Sequence, residues 1–96
     1  MNYKNSKFYV ENIPIGKLTR SFQTPFYCYS KLKLYQNIKN FNKKFEKTKP
    51  LICFSVKSNS NSKLLKIIKN NGLGADVVSI GELQKVLKVG FKPNKI

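Results

Sequence analysis

One lysine stands where a catalytic group would be expected. Residues 51–56 form a nearly continuous apolar run of strand length, which is typical of a strand covered on both faces of a parallel sheet. Lys57 follows directly, and in barrels of alternating strands and helices the catalytic groups lie at the carboxyl ends of the strands. Most lysines of a folded protein are solvated surface charges, so spacing alone favours a surface role for Lys57.

Metal and disulfide chemistry are not indicated. The chain has no histidine and two cysteines, Cys28 and Cys53, which lie inside apolar runs. A zinc site needs more sulfur and nitrogen ligands than this, and a disulfide framework needs more cysteines. We therefore expect both thiols to be buried and unreactive.

The elements before Lys57 begin with an aromatic run. Residues 1–23 predict an irregular lead-in with one strand at most, because Pro14 and Gly16 interrupt the apolar stretches. Residues 26–29 favour a strand, and Ser30 is a suitable N-cap for a helix that ends before Pro50. The apolar positions of that helix have helical spacing. They are Leu34, Ile38, Phe41 and Phe45.

Two further units of strand and helix follow the first. Apolar residues between 64 and 68 predict a helix that stops at Gly72. Residues 75–78 predict a short strand, and Ser79 and Glu82 have the Ser-x-x-Glu spacing of a capping box at the start of a helix ending near Gly90. Three such units predict an α/β fold with a parallel sheet, either doubly wound or closed as an eight-stranded barrel. Three units cannot close a barrel, so we expect the sequence to continue beyond Ile96.

The net charge of +15 raises the alternative of a small basic nucleic-acid-binding protein. Its lysines are spread along the whole chain, and Arg20 is the only arginine, so base-specific recognition is not indicated. Four aromatic residues could stack on bases, but their spacing predicts core positions instead. They are Tyr27, Tyr29, Phe41 and Phe45. We expect no nucleic-acid partner, no membrane segment and a cytoplasmic protein.

Three segments of the chain form a series, which is Thr24-Pro25-Phe26-Tyr27, then Ser55-Val56-Lys57-Ser58-Asn59, then Gly74-Ala75-Asp76-Val77-Val78-Ser79-Ile80-Gly81-Glu82-Leu83. In this order they resemble the motifs of diaminopimelate decarboxylases, which are pyridoxal-phosphate enzymes of the alanine-racemase-like fold type III. The resemblance runs from about Thr24 to Ile96, and it departs from the family pattern at Phe54 (usually tyrosine), Ser58 (usually alanine) and Ile80 (commonly glycine).

The resemblance implies that Lys57 bonds covalently to pyridoxal 5'-phosphate, which requires an amine that can lose its proton in a partly desolvated place. It also implies that Asp76 and Glu82 lie near the cofactor, although the capping box explains Glu82 without one. By the same resemblance, residues 31–96 begin a pyridoxal-phosphate-binding (β/α)8 barrel, and residues 1–30 belong to a β-rich second domain.

The reaction implied is the decarboxylation of meso-diaminopimelate to L-lysine and carbon dioxide in lysine biosynthesis, by a homodimer. Related ornithine, arginine or carboxynorspermidine decarboxylases share a lysine-bearing strand of this type and remain alternatives. Alanine racemases usually have a tyrosine-glycine-histidine stretch after the lysine, which Ser60-Asn61-Ser62 does not supply. Since the resemblance places the other cofactor contacts beyond Ile96, we expect the 96-residue chain alone to have no decarboxylase activity.

Overall fold

The computed structural model describes residues 1–96, which divide into two units, Met1–Asn37 and Ile38–Ile96. The first contains three strands and a short helix: β1 (Asn2–Lys4), β2 (Lys7–Val10), β3 (Ile13–Pro14) and α1 (Ile15–Ser21). Helix α2 (Lys31–Lys44) begins in the first unit and ends in the second. The second then contains β4 (Cys53–Ser55), α3 (Ser62–Asn70), β5 (Gly74–Asp76) and α4 (Ile80–Val89).

Two parallel strands form the centre of the second unit. Strands β4 and β5 pair with Cys53 opposite Gly74 and Ser55 opposite Asp76, and α3 connects them. A strand, a helix and a second parallel strand form the βαβ unit that defines α/β proteins. The predicted α/β class is therefore confirmed, while two such strands do not distinguish a barrel from an open sheet.

The core of the second unit comes from the apolar faces of these elements. Val56, Leu65 and Val86 are fully buried, and Ile68 is 1% exposed. Leu65 and Ile68 are three positions apart on α3, so they lie on the same helix face. Burying each large aliphatic side chain contributes about 1.5–3 kcal/mol, which makes this cluster the main support of the parallel pair.

The predicted ends of the last two helices are confirmed. Helix α3 ends at Asn70 and is followed by Gly72 with φ +83°. Helix α4 ends at Val89 and is followed by Gly90 with φ +92°. These are left-handed conformations that glycine adopts without the steric cost of a Cβ atom, so both helices stop where a glycine can turn the chain.

The prediction of an irregular lead-in was wrong. Strands β1, β2 and β3 form an antiparallel sheet with Tyr3 opposite Phe8 and Val10 opposite Ile13. Asn5 and Ser6, between β1 and β2, both have positive φ, as two-residue hairpin loops of the type I′ kind require. Short strands joined by such tight turns carry little apolar periodicity, and the sequence pattern therefore missed them.

The predicted strand at residues 26–29 is also absent, because no neighbouring strand pairs with this segment. The aromatic side chains expected in the core are exposed, from 90% for Tyr27 to 41% for Phe45. Cys53 is exposed and Cys28 half-buried, so the expectation of buried thiols was wrong. Cys53 lies at the start of β4, in a sheet of two strands.

Candidate functional site

The carboxyl ends of β4 and β5 lie side by side and carry the candidate residues. Ser55 and Asp76 are the last residues of their strands and are opposite each other in the register. The Ser55 hydroxyl donates a hydrogen bond of 2.7 Å to Oδ2 of Asp76. This bond joins the two strand ends through their side chains, where the backbone ladder stops.

Lys57 is the central residue of a single 3-10 turn, Val56–Ser58, which begins directly after β4. Val56 is fully buried, while Lys57 is exposed. The turn thus alternates a buried apolar residue with an exposed lysine at the carboxyl end of β4. The structure therefore places Lys57 at the strand end that the sequence predicts.

Hydrogen bonds hold the turn that carries Lys57 on both sides. The Ser58 hydroxyl donates to the Ser55 carbonyl at 2.7 Å, and the Asn59 amide donates to the Val56 carbonyl at 3.1 Å. The Asn59 side-chain oxygen accepts from the Asn61 amide at 3.0 Å. The turn is thus closed by backbone and side-chain bonds, and none of these bonds uses the Lys57 amine.

Asn61 continues this chain of bonds into helix α3. Its side-chain oxygen accepts from the amides of Lys63 and Leu64, as an N-cap does. The Lys85 ammonium donates to the Ser60 hydroxyl at 3.1 Å, which ties the same loop to α4. The loop after Lys57 is therefore attached to both helices that flank the site.

Glu82 lies in the first turn of α4, which follows β5. Its amide donates to the Ser79 hydroxyl at 3.2 Å, and its carboxylate accepts from the Val78 amide at 2.9 Å. This is close to the predicted capping box, except that the carboxylate bonds to the residue before the N-cap. The carboxylate of half-buried Glu82 thus stabilises the turn between β5 and α4.

Of the three predicted site residues, Lys57 follows β4, Asp76 ends β5, and Glu82 lies in the first turn of α4. Sequence reasoning assigned no role to Ser55 and Ser58, whose hydroxyls join these elements. The signal that could have identified them is their position on either side of Val56-Lys57. Ser55 ends a partly exposed strand, and the register that places it opposite Asp76 supplies the partner for its hydroxyl.

Curated relatives of this chain are diaminopimelate decarboxylases. The protein from Helicobacter pylori strain J99 is 46% identical over 80 residues, which are 83% of this chain and 20% of the relative. The protein from Haemophilus influenzae is 42% identical over 94 residues, which are 98% of this chain and 23% of the relative. The chain therefore spans about a fifth of the length of these relatives.

Two solved structures have a fold similar to that of this chain. A crystal structure of an Aquifex aeolicus protein superposes with a TM-score of 0.92 at 34% identity, covering 98% of this chain and 23% of that one. The diaminopimelate decarboxylase of Helicobacter pylori, complexed with L-lysine, has a TM-score of 0.78 at 41% identity and covers 84% of this chain and 21% of that one.

The family model that describes the pyridoxal binding domain of pyridoxal-dependent decarboxylases matches residues 31–96. The match includes the lysine turn, both parallel strands and the helices that follow them. Pyridoxal phosphate is the cofactor of this family. A match over more than half of the chain, together with the two relatives named above, shows that the chain belongs to the pyridoxal-dependent decarboxylases.

Proposed function

We propose that the chain provides the lysine-bearing part of a diaminopimelate decarboxylase, with Lys57 as the residue that bonds to pyridoxal phosphate. The observation that carries the proposal is the position of Lys57, an exposed amine on a hydrogen-bonded turn at the carboxyl edge of two parallel strands. This is the edge at which enzymes with parallel βα barrels bind their ligands.

The position of Lys57 and the bonding of its turn fit covalent attachment of this cofactor, but Lys57 is exposed, so the partial desolvation that the amine requires does not come from these residues. A pyridoxal aldehyde requires an amine that is not engaged by another group, and the hydrogen bonds of the turn are made by Ser58 and Asn59 instead of Lys57. Asp76 ends the neighbouring strand, and its Oδ2 accepts from Ser55. Lys57 would thus hold the cofactor through Nζ, and we propose Asp76 and Glu82 as the acids closest to it.

The chemistry divides between cofactor and protein. When bound, pyridoxal phosphate withdraws electrons from the bond that releases carbon dioxide. The chain supplies the Lys57 amine, which bonds only after Nζ loses its proton, and a hydrogen-bonded turn that holds the backbone from which this side chain extends. The Ser55–Asp76 bond keeps the two strand ends together, and Glu82 keeps the start of α4 against β5.

We propose meso-diaminopimelate as the substrate, and L-lysine and carbon dioxide as the products, in lysine biosynthesis. The relatives named above support this choice, and so does the L-lysine in the Helicobacter pylori structure. Ornithine, arginine and carboxynorspermidine decarboxylases are the alternatives, and no side chain described here favours them.

We further propose that residues 31–96 form the start of an eight-stranded barrel and that residues 1–30 belong to a β-rich domain. The parallel pair and the separate antiparallel sheet support this division. A cytoplasmic homodimer without nucleic-acid or membrane partners completes the proposal. No helix of the chain combines the length and the apolar character needed to cross a membrane.

Borohydride trapping tests the attachment. The 96-residue chain is incubated with pyridoxal phosphate and reduced, and the modified lysines are identified by peptide mass analysis. We expect the label to concentrate at Lys57 and to be lost in Lys57→Arg. The matched control Lys63→Arg, which changes an exposed lysine on α3, should leave the Lys57 label unchanged.

Equal labelling of Lys57 and the other lysines would contradict the assignment. The same chain should release no measurable carbon dioxide from meso-diaminopimelate, because one lysine turn does not supply the remaining cofactor contacts. Turnover by the purified chain would show that the site is more complete than we propose.

A further inference from the structure

The turn that carries Lys57 is short and has weak intrinsic support. A 3-10 turn has poorer hydrogen-bond geometry than an α-helix and is normally stabilised from outside. Strand β4 is three residues long and pairs with β5 on one side. The backbone at Lys57 therefore depends on bonds made by its neighbours.

Two serine hydroxyls supply such bonds, one on each side of Val56-Lys57. Ser58 donates to the carbonyl of Ser55, which closes the turn with a side-chain bond of 2.7 Å in addition to the backbone bond from Asn59 to Val56. Ser55 donates from its own hydroxyl to Asp76, also at 2.7 Å. Ser55 thus accepts a hydrogen bond from the turn at its carbonyl oxygen, and its hydroxyl donates a hydrogen bond to the last residue of β5.

We propose that Ser58 is a positioning residue for the Lys57 amine, acting through Ser55 and Asp76. This inference rests on the proposed function, since it concerns the same lysine. Ser58 closes the turn and keeps the Cα–Cβ direction of Lys57 constant, and the Ser55–Asp76 bond fixes that direction relative to the second strand. The Lys57 amine is then presented at one place on the strand edge instead of moving over the surface.

The first test measures the turn without any cofactor. Amide hydrogen exchange of Asn59 is followed in the full 96-residue chain, in Ser58→Ala and in Ser58→Thr. The amide of Asn59 bonds to Val56 across the turn, so it reports whether the turn stays closed. We expect Ser58→Ala to exchange about three- to tenfold faster, the effect of one hydrogen bond, and Ser58→Thr to restore the slower rate by keeping a hydroxyl.

The second test asks whether turn closure positions the amine. Trapping with pyridoxal phosphate and borohydride gives the ratio of label at Lys57 to label at Lys63. This ratio should fall several-fold in Ser58→Ala and recover in Ser58→Thr. Ser62→Ala is the matched control, because Ser62 is an exposed serine at the start of α3, and both readouts should remain as in the unmodified chain.

The outcomes separate the two proposals. If the unmodified chain does not label Lys57 preferentially, the cofactor assignment fails, while the Asn59 exchange rates still decide whether Ser58 closes the turn. Unchanged exchange in Ser58→Ala, or failure of Ser58→Thr to restore it, would overturn the inference. Faster exchange with an unchanged label ratio, in a chain that does prefer Lys57, would also overturn it.

Discussion

The two units of this chain are stabilised by different interactions. In the first unit, Val10 is the one buried apolar side chain, whereas the rest of the buried apolar residues lie in the second. In the antiparallel sheet of the first unit, the rings of Tyr3 and Phe8 contact each other in a tilted arrangement, with their centroids 5.0 Å apart. In the second unit the two parallel strands contact each other, the helices α3 and α4 contact each other, and both helices contribute buried apolar side chains.

In the first unit, hydrogen bonds to one side chain connect the sheet to the start of helix α2. Oε1 of Glu11 accepts from the Leu32 amide and from the Ser30 hydroxyl, both at 2.8 Å, so a turn residue of the sheet caps the start of α2. A capping bond satisfies helix amides that otherwise lack a partner. The lysine turn thus lies in the unit that has the larger apolar core.

The largest effect is expected from Leu65→Ala. This side chain on α3 is fully buried, and removing it should lower the free energy of unfolding of the second unit by about 2–5 kcal/mol through lost burial and a cavity. Urea unfolding followed by residue-resolved NMR measures the two units separately. Leu87→Ala, at a position 46% exposed, should cost much less, and equal losses would contradict the assigned core.

A smaller effect in the same unit is expected from Gly74→Ala. An added Cβ would lie 2.6 Å from the Lys95 carbonyl and 2.7 Å from Sγ of Cys53, which is closer than packed atoms allow. The displacement should lower the free energy of unfolding by about 1–3 kcal/mol.

Gly81→Ala is the control for this change, because nothing lies within 4 Å of its added Cβ. Alanine within a helix is favoured over glycine by about 0.5–1 kcal/mol, so this variant should be slightly more stable than the unmodified chain. Thermal unfolding compares the two variants. A loss of stability in both would show that the close approach at Gly74 is not the cause.

The smallest effect, confined to the first unit, is expected from Glu11→Gln. The hydrogen bonds from the Leu32 amide and then the Ser30 hydroxyl lower the pKa of Glu11 below its usual value. Because the pKa is lowered in the folded state, the carboxylate stabilises this unit at pH values above the usual glutamate pKa. This contribution is lost as the pH falls through the lowered pKa of the folded state.

The Leu32 amide shift, followed by NMR during acid titration, reports this ionisation directly. We expect a midpoint below the usual glutamate pKa in the unmodified chain and no titration in Glu11→Gln. Glu46→Gln, which changes an acid in the other unit, should leave the Leu32 titration unchanged. A midpoint at or above the usual value would contradict the cap.

Much of the second unit could be predicted from the sequence, because each of its signals is local. The capping serine Ser79, the glycines after the helices and the apolar run before Lys57 all act within a few residues. The first unit was mispredicted for the same reason. Its strands are two to four residues long, and their existence depends on pairing with one another.

The sequence predicted the central residue of the candidate site but not the hydrogen bonds that connect the surrounding residues. Lys57 was identified from its strand end and from a family resemblance, while the Ser55–Asp76 bond joins residues far apart in the sequence. The assignment of Asp76 and Glu82 to the cofactor stays a prediction. Their hydrogen bonds to Ser55 and Val78 show what each carboxylate does within this chain.

The sequence by itself determined the α/β class, the helix ends and the lysine, because propensity, capping and periodicity are encoded within single elements. Only the tertiary structure decided which strand ends meet, which serine bonds to which acid, and that Glu11 caps a helix that begins twenty residues later. Parallel strands are joined through an intervening helix, so their register is set by packing between distant segments.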